Sequence, residues 1–170
     1  KEALQPMFDF VGGWLYDHDE SREDHDSEVS ALYDEVRAER ETRGAEAAAA
    51  EVRALGRRAL VVRADLARVA QIDRMFVRAR KHFDRLDVLI NNAGLGGEVS
   101  VVDMTDDQWG RVLDVTLNSV FRMTRSFLPS MYARKTGVIV NNASVLGWRA
   151  QKGQAHYAAA KAGVMAFTRC

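Results

Sequence analysis

The sequence predicts an α/β domain built around a parallel β-sheet, and two observations support this fold class. Short apolar runs alternate with longer segments in which apolar residues recur every three or four positions, as strands alternate with helices. The resulting order of strand, helix, strand, helix, strand and helix requires crossover connections, which produce a parallel sheet. In such a sheet we expect functional sites just beyond the carboxyl ends of the strands.

Residues 1–40 are predicted to be an atypical acidic N-terminal segment that precedes a domain over residues 41–170. Residues 1–30 contain two basic and nine acidic residues, whereas the remainder contains 22 basic and 15 acidic residues. Two short apolar runs on either side of Gly12-Gly13 predict a hairpin. The acidic run over residues 17–26 contains His18 and His25, which fits either a metal site or, as we favour, a solvated loop.

A helical pattern extends from residue 28 to residue 55, and Gly44 lies where it could divide that pattern into two helices. Gly56 is expected to stop it. The first predicted strand covers residues 59–62 and leads to Asp65-Leu66. An amphipathic helix over residues 69–83 follows, and a second strand is predicted over residues 86–90.

A long helix over residues 105–133 is predicted to connect the second strand to a third strand over residues 138–140. Thr105 followed by Gln108 is the pattern of a capping box, which marks the start of the helix. Pro129 is expected to kink or end its last turn, because proline lacks a backbone N–H. A last helix is predicted over residues 155–169.

Three side chains near the third strand and the last helix form a candidate proton-transfer site. Tyr157 and Lys161 are four residues apart and therefore share one face of the last helix. A nearby ammonium favours the phenolate form of a tyrosine, which suits the phenol to acid–base catalysis. Ser144 lies in the loop after the third strand, where its hydroxyl could hold a carbonyl or alcohol oxygen. The set predicts carbonyl reduction or alcohol oxidation, although a Tyr-Lys pair alone also fits a solvated helix face.

Composition argues against several other classes of function. The net charge is zero and basic residues form no stripe with aromatic ones, which argues against nucleic-acid binding. No apolar run approaches the roughly 20 residues of a membrane span, and the first residues show no signal-peptide pattern. Cys170 is the single cysteine, so we expect no disulfide framework and no cysteine-based metal site. We expect a cytoplasmic protein.

The motif Asn91-Asn92-Ala93-Gly94 after a strand, Ser144, and Tyr157 with Lys161 together resemble the short-chain dehydrogenases/reductases. They look most similar to 3-oxoacyl-acyl-carrier-protein reductases and to enzymes like glucose or hydroxysteroid dehydrogenases. The resemblance runs from about Arg43 to the end of the chain. It implies a Rossmann-like three-layer parallel sheet with the strand order 3-2-1-4-5-6-7.

In that order, the predicted strands at residues 59–62, 86–90 and 138–140 are strands 3, 4 and 5. Residues 1–40 would have to supply strands 1 and 2, which lie between strands 3 and 4, and the family's later strands and substrate lid would follow Cys170. We therefore expect an incomplete sheet, or one patched by the N-terminal hairpin.

The resemblance also implies roles for individual residues. Tyr157 would be the acid–base residue, Ser144 would hold the substrate oxygen, and Lys161 would assist Tyr157 and bind the nicotinamide ribose. The cofactor would be NAD or NADP, the substrate a small carbonyl compound or alcohol, and the protein a homo-oligomer joined through the helices over residues 105–133 and 155–169. Tyr157 and Lys161 would contact the cofactor together with a further set of residues, which is Asp65, Leu66, Asn91, Ala93 and Gly94.

Three departures from the family pattern keep an alternative open, and the missing later strands and substrate lid are the first of them. Thr116 stands where the family has an asparagine in the long helix, and Asn118 lies about 200° away around the helix. The glycine-rich phosphate loop of the family is missing, since Gly12-Gly13 is followed by bulky and acidic residues. The alternative is a catalytically silent fragment or pseudoenzyme that acts as an association module. His156, next to Tyr157, is expected at the surface or in an interface.

Overall fold

A computed structural model describes residues 42–149 and 151–170, and in these ranges two parallel strands form the sheet. Strand β1 is Val88–Asn91 and strand β2 is Val138–Asn141. They pair in register, from Val88 opposite Val138 to Asn91 opposite Asn141. Both strands therefore end at the same edge of the sheet, and each ends in an asparagine.

Helices precede, connect and follow the two strands, which confirms the predicted α/β class and the parallel sheet. Helix α1 covers residues 42–54, α2 is Val69–His82, α3 is Asp106–Leu113, α4 is Ser119–Arg134 and α5 is Ala155–Thr168. A five-residue π-helical segment, Asp114–Asn118, joins α3 to α4, and a short 3-10 helix, Val145–Gly147, follows β2. In the described part of the chain the sheet has only these two strands, which is consistent with the expected incomplete Rossmann-like fold.

The core lies between strand β1 and helices α2 and α4. Leu89 of β1 is buried beneath apolar side chains of both helices, and the rings of Phe76 and Phe127 meet edge to face at 4.9 Å between centroids. Burial of each such side chain contributes about 1.5–3 kcal/mol, so this cluster holds the helices on the sheet. Its buried members are Ile72, Met75, Ala79, Leu89, Met123, Phe127 and Met131.

The long helix begins as predicted and continues past the expected break. The Thr105 side chain accepts the backbone N–H of Gln108, and the Gln108 side chain accepts that of Thr105, so the capping box is confirmed. Pro129 does not end the helix, which continues to Arg134. Proline has no N–H to donate to the carbonyl of Arg125, and both residues lie on the exposed side of the helix.

The prediction of a strand over residues 59–62 is wrong for the described residues. That segment is extended but does not pair with the sheet, in which β1 and β2 pair with each other. The strand order of the family explains this result, because strand 3 pairs with strand 2 and not with strand 4. The segment that would supply strand 2 lies outside the described residues, as do the predicted hairpin and the acidic run.

Two glycine predictions have different outcomes. Gly44 lies inside α1 and does not divide it within the described residues. Gly56 follows the end of α1 with a φ of +73°, a conformation that glycine adopts at the ends of helices, so the predicted stop is confirmed. None of the helices in the described ranges is both long enough and apolar enough to cross a bilayer.

We expect Ile72→Ala to lower the free energy of unfolding by about 2–5 kcal/mol, because Ile72 is 1% exposed and its truncation leaves a cavity in the core cluster. Urea denaturation followed by circular dichroism measures the change. Val77→Ala in the same helix is the control, since Val77 is 62% exposed and its loss should change stability by about 0.5 kcal/mol or less. Equal losses for the two variants would contradict the described core.

Candidate active site

Two pairs of asparagines connect the carboxyl ends of the strands. Asn91 donates its side-chain amide to the Asn141 side chain at 2.8 Å, and Asn142 donates to the Asn92 side chain at 2.6 Å. The backbone N–H of Asn142 also donates to the Asn91 carbonyl at 2.9 Å. Asn91 is buried and lies 3.5 Å from the Thr124 hydroxyl. Its side chain therefore joins the two strands, and its contact with a cofactor stays a prediction.

The ammonium of Lys161 lies at this edge of the sheet and is almost fully buried. Its Nζ donates a hydrogen bond to the backbone carbonyl of Asn142 at 2.7 Å, and the residue is 3% exposed. Burial lowers the pKa of Lys161, because an apolar environment disfavours the charged form. A buried ammonium is costly unless it is hydrogen-bonded, so the Asn142 carbonyl fixes where this charge can lie.

Tyr157 lies one helical turn before Lys161 on helix α5. The Lys161 Nζ is 5.6 Å from the centre of the Tyr157 ring, a distance at which a cation is attracted to an aromatic face. Tyr157 is half-buried, so its ring is partly accessible from outside the protein. The helix thus places an ammonium beside a phenol at the carboxyl end of the sheet.

A glycine loop, residues 94–97, passes directly over these side chains. A Cβ atom added at Gly94 would lie 3.4 Å from the Lys161 Nζ, and one added at Gly96 would lie 3.6 Å from Cδ2 of Tyr157. Glycine allows this approach because it has no side chain. The backbone of the loop therefore forms the surface against which Tyr157 and Lys161 pack.

Ser144 lies at the same end of the sheet, three residues beyond β2. Its hydroxyl accepts the backbone N–H of Leu146 at 3.2 Å and so caps the 3-10 helix. That short helix packs on α5, since a Cβ at Gly147 would lie 3.2 Å from backbone atoms of Lys161 and Ala162. The structure therefore places Ser144 on a turn that is fixed against the helix carrying Tyr157 and Lys161.

The Asp65-Leu66 turn is fixed by residues that the sequence analysis did not single out. Asp65 accepts the backbone N–H of Ala67 and forms a 3.1 Å ion pair with Arg111. Arg122 donates to the Ala67 carbonyl at 3.2 Å and to Asp114 at 3.0 Å. An acidic residue directly after an apolar run, such as Asp65, indicates an ionic partner, but the sequence does not specify that Arg111 of the long helix supplies it.

Leu66 is half-buried and His156 is buried. Leu66 packs against the core between β1, α2 and α4. His156 is 2% exposed, so the expectation that it lies at the surface is wrong. The reason is the glycine loop, because Gly97 lies close to the His156 ring and covers it. Within residues 42–149 and 151–170, no group of histidine, cysteine and acidic side chains could hold a metal ion.

We expect the buried Lys161 to make stability depend on pH in a defined direction. Its pKa is lower in the folded protein than the ordinary value of 10.5, so the folded state loses this proton first. Between the two pKa values the unfolded chain binds more protons, and stability therefore rises with pH.

Chemical denaturation of the wild type and Lys161→Met across alkaline pH tests this expectation. The free energy of unfolding of the wild type should increase relative to that of the variant as pH approaches 10.5. Lys81→Met, which replaces an exposed lysine of α2, is the control. It keeps Lys161, so the difference between its free energy of unfolding and that of the wild type should not change with pH. A constant difference between wild type and Lys161→Met would contradict the burial of this charge.

Known proteins share much of this sequence. Residues 31–170 match the family described as short chain dehydrogenase. The chain is 60% identical over 126 residues to (5R,7aS)-5-hydroxy-7a-methyl-1-oxo-2,3,5,6,7,7a-hexahydro-1H-indene-carboxyl-CoA reductase of Mycobacterium tuberculosis. The aligned region covers 72% of this chain and 47% of the relative. It is 38% identical over 125 residues to 3-oxoacyl-[acyl-carrier-protein] reductase of Synechocystis, covering 74% of this chain and 51% of that protein.

Solved structures agree with the sequence relatives. A short chain dehydrogenase from Mycobacterium smegmatis matches with a TM-score of 0.66 and 53% identity, over 74% of this chain and 53% of that one. A putative gluconate dehydrogenase from Agrobacterium tumefaciens matches with a TM-score of 0.67 and 31% identity, over 71% and 48% of the two chains. The chain thus spans about half the length of the curated relatives it matches. It belongs to the short-chain dehydrogenase family, and the relatives described above are named as reductases and dehydrogenases.

Proposed function

We propose that the chain forms the proton-transfer part of an NAD- or NADP-dependent oxidoreductase that interconverts a carbonyl compound and an alcohol. The observation that carries the proposal is the buried Lys161 ammonium beside the Tyr157 ring at the carboxyl end of the sheet. The related proteins are oxidoreductases by name, which supports the reaction class.

In this proposal, Tyr157 exchanges a proton with the substrate oxygen. The Tyr157 hydroxyl gives its proton to that oxygen when a carbonyl is reduced and takes one back when an alcohol is oxidised, with the Lys161 ammonium 5.6 Å from the ring centre. Ser144 donates a hydrogen bond to the same oxygen and so orients it toward Tyr157. A hydroxyl can supply that bond because it donates as well as accepts.

The residues around this pair suit a nicotinamide cofactor, which would supply or accept the hydride at the carbonyl carbon. The backbone at Ala93 and Gly94 is half-buried and lacks bulky side chains at the strand end, so a planar ligand could approach it closely. An ammonium has three N–H donors, and one bonds Asn142. We assign another to the cofactor ribose, with Asp65 and Leu66 holding the adenine end.

Cofactor binding and turnover test the proposal together. At about 100 times its Kd, NADH or NADPH should stabilise the protein by about 2.7 kcal/mol in thermal denaturation. Tyr157→Phe should lower kcat by at least about 100-fold on a ketone substrate, because the proton donor is lost, while it leaves cofactor affinity unchanged.

Tyr132→Phe is the matched control, since this tyrosine is 80% exposed on α4 and its hydroxyl has no part in the proposed reaction. Its kcat should equal that of the wild type. The proposal fails if neither cofactor stabilises the protein, or if Tyr157→Phe retains full turnover.

A second function, association between copies of the chain, is favoured by an apolar stripe on α4. Phe121, Leu128 and Tyr132 are exposed and lie on related turns of the helix, and Phe167 of α5 meets Phe121 edge to face at 6.5 Å. We propose that this stripe joins two copies, with or without catalysis. Phe127, by contrast, belongs to the core, as does Met131.

Replacing Leu128 and Tyr132 together with glutamate should convert an oligomer to a monomer, because two charges would be buried in the contact. Light scattering after size-exclusion chromatography measures the mass. Val77→Glu on the exposed side of α2 should leave the mass unchanged. A wild-type protein that is monomeric at high concentration would exclude the association.

A further inference from the structure

The hydroxyl of Thr116 makes two hydrogen bonds to the backbone of one residue, Leu95. It accepts the Leu95 N–H at 2.9 Å and donates to the Leu95 carbonyl at 3.1 Å. Thr116 is fully buried, so water does not compete for these bonds. A hydroxyl donates and accepts through one atom, whereas an amide must use its oxygen and nitrogen separately. Thr116 therefore satisfies both polar backbone groups of a loop residue from a single point.

Leu95 is the residue between the two glycines that contact the proton-transfer pair. Gly94 lies against the Lys161 Nζ, and Gly96 lies against the Tyr157 ring. Glycine restricts its own backbone very little, so the contacts at Gly94 and Gly96 need an external restraint. The bonds from Thr116 supply that restraint at the position where it acts on both glycines.

The π-helical segment gives Thr116 this position. Thr116 is its central residue, and the next residue, Leu117, packs closely on Gly163 of helix α5. The segment is therefore held by α5 on one side and bonds the glycine loop on the other. An inserted π turn of this kind is rare and occurs often at functional sites, because it redirects side chains within a helix.

We propose that Thr116 is a positioning residue, whose hydroxyl holds the glycine loop against Tyr157 and Lys161 and keeps water from the ammonium. This inference rests on the proposed function, since it takes Tyr157 and Lys161 as the proton-transfer pair. The methyl group of Thr116 lies 3.9 Å from a Cβ placed at Gly94, a van der Waals distance that does not restrain the loop. The low exposure of Lys161 and the lowered pKa that results from its burial agree with such a cover.

Three variants separate the hydroxyl from the surrounding packing. Thr116→Val keeps the shape of the side chain but removes both bonds to Leu95. Thr116→Ser keeps the hydroxyl and removes the methyl group. Ser119→Ala is the control, because Ser119 is also buried in this helix but donates to Val115 of its own helix instead of the loop.

Two measurements without cofactor or substrate report on the loop. Hydrogen exchange followed by NMR gives the exchange rate of the Leu95 backbone amide. This rate should rise about tenfold or more in Thr116→Val, as expected for loss of a buried hydrogen bond. NMR titration of the lysine side chain gives the pKa of Lys161, which should move toward 10.5 in the same variant as water reaches the ammonium. Thr116→Ser and Ser119→Ala should match the wild type within about twofold in exchange.

The proposal is overturned if Thr116→Val leaves both readouts unchanged, or if Ser119→Ala shifts them equally, which would indicate general loosening. If Thr116→Val does not fold, Thr116→Cys replaces it, because a thiol fits the site and forms weak hydrogen bonds. Cofactor titration of the wild type separately tests the proposed function. If the wild type does not bind cofactor but Thr116→Val gives the expected exchange and pKa changes, the proposed function fails while the restraint of the loop by Thr116 is supported.

Discussion

The hydrogen bond from the Lys161 ammonium to the Asn142 carbonyl is the interaction on which the rest of the site depends. A charge with so little exposure needs a partner of fixed position, and this carbonyl is fixed by the pairing of β1 with β2. The bond ties helix α5 to the sheet end, and α5 in turn presents Tyr157. The glycine loop can cover the pair because its contacts are made by backbone. The Lys161 Nζ of helix α5 therefore contacts both the end of the sheet, at Asn142, and the glycine loop, at Gly94.

Much of this arrangement could be predicted from local patterns. The capping box at Thr105 and the spacing of Tyr157 and Lys161 are short-range features, and each acts within one or two helical turns. The end of α1 at Gly56 is equally local. Such features depend on few neighbours, so their physical meaning can be read without knowledge of the fold.

Other features depend on contacts that a linear pattern does not specify. An apolar run such as residues 59–62 becomes a strand only if a partner strand supplies hydrogen bonds. The burial of His156 results from a loop more than 50 residues earlier in the chain, and the bonds of Thr116 to Leu95 are made from a π turn whose sequence resembles that of ordinary helix. An expected asparagine replaced by threonine looks like a loss in the sequence, whereas the structure gives the threonine hydroxyl two partners.

The paired asparagines have a consequence for how the domain folds. Each strand has only four residues, so a slip of β1 by one position would turn Leu89 away from the core, and a slip of β2 by one position would move the Asn142 carbonyl by about 3.3 Å. Either slip would separate Asn91 from Asn141, and a slip of β2 would leave the Lys161 ammonium without its acceptor. Misaligned strands therefore lose amide pairing together with apolar burial or with the partner of the buried charge. Correct alignment of the sheet and assembly of the site are therefore one cooperative event.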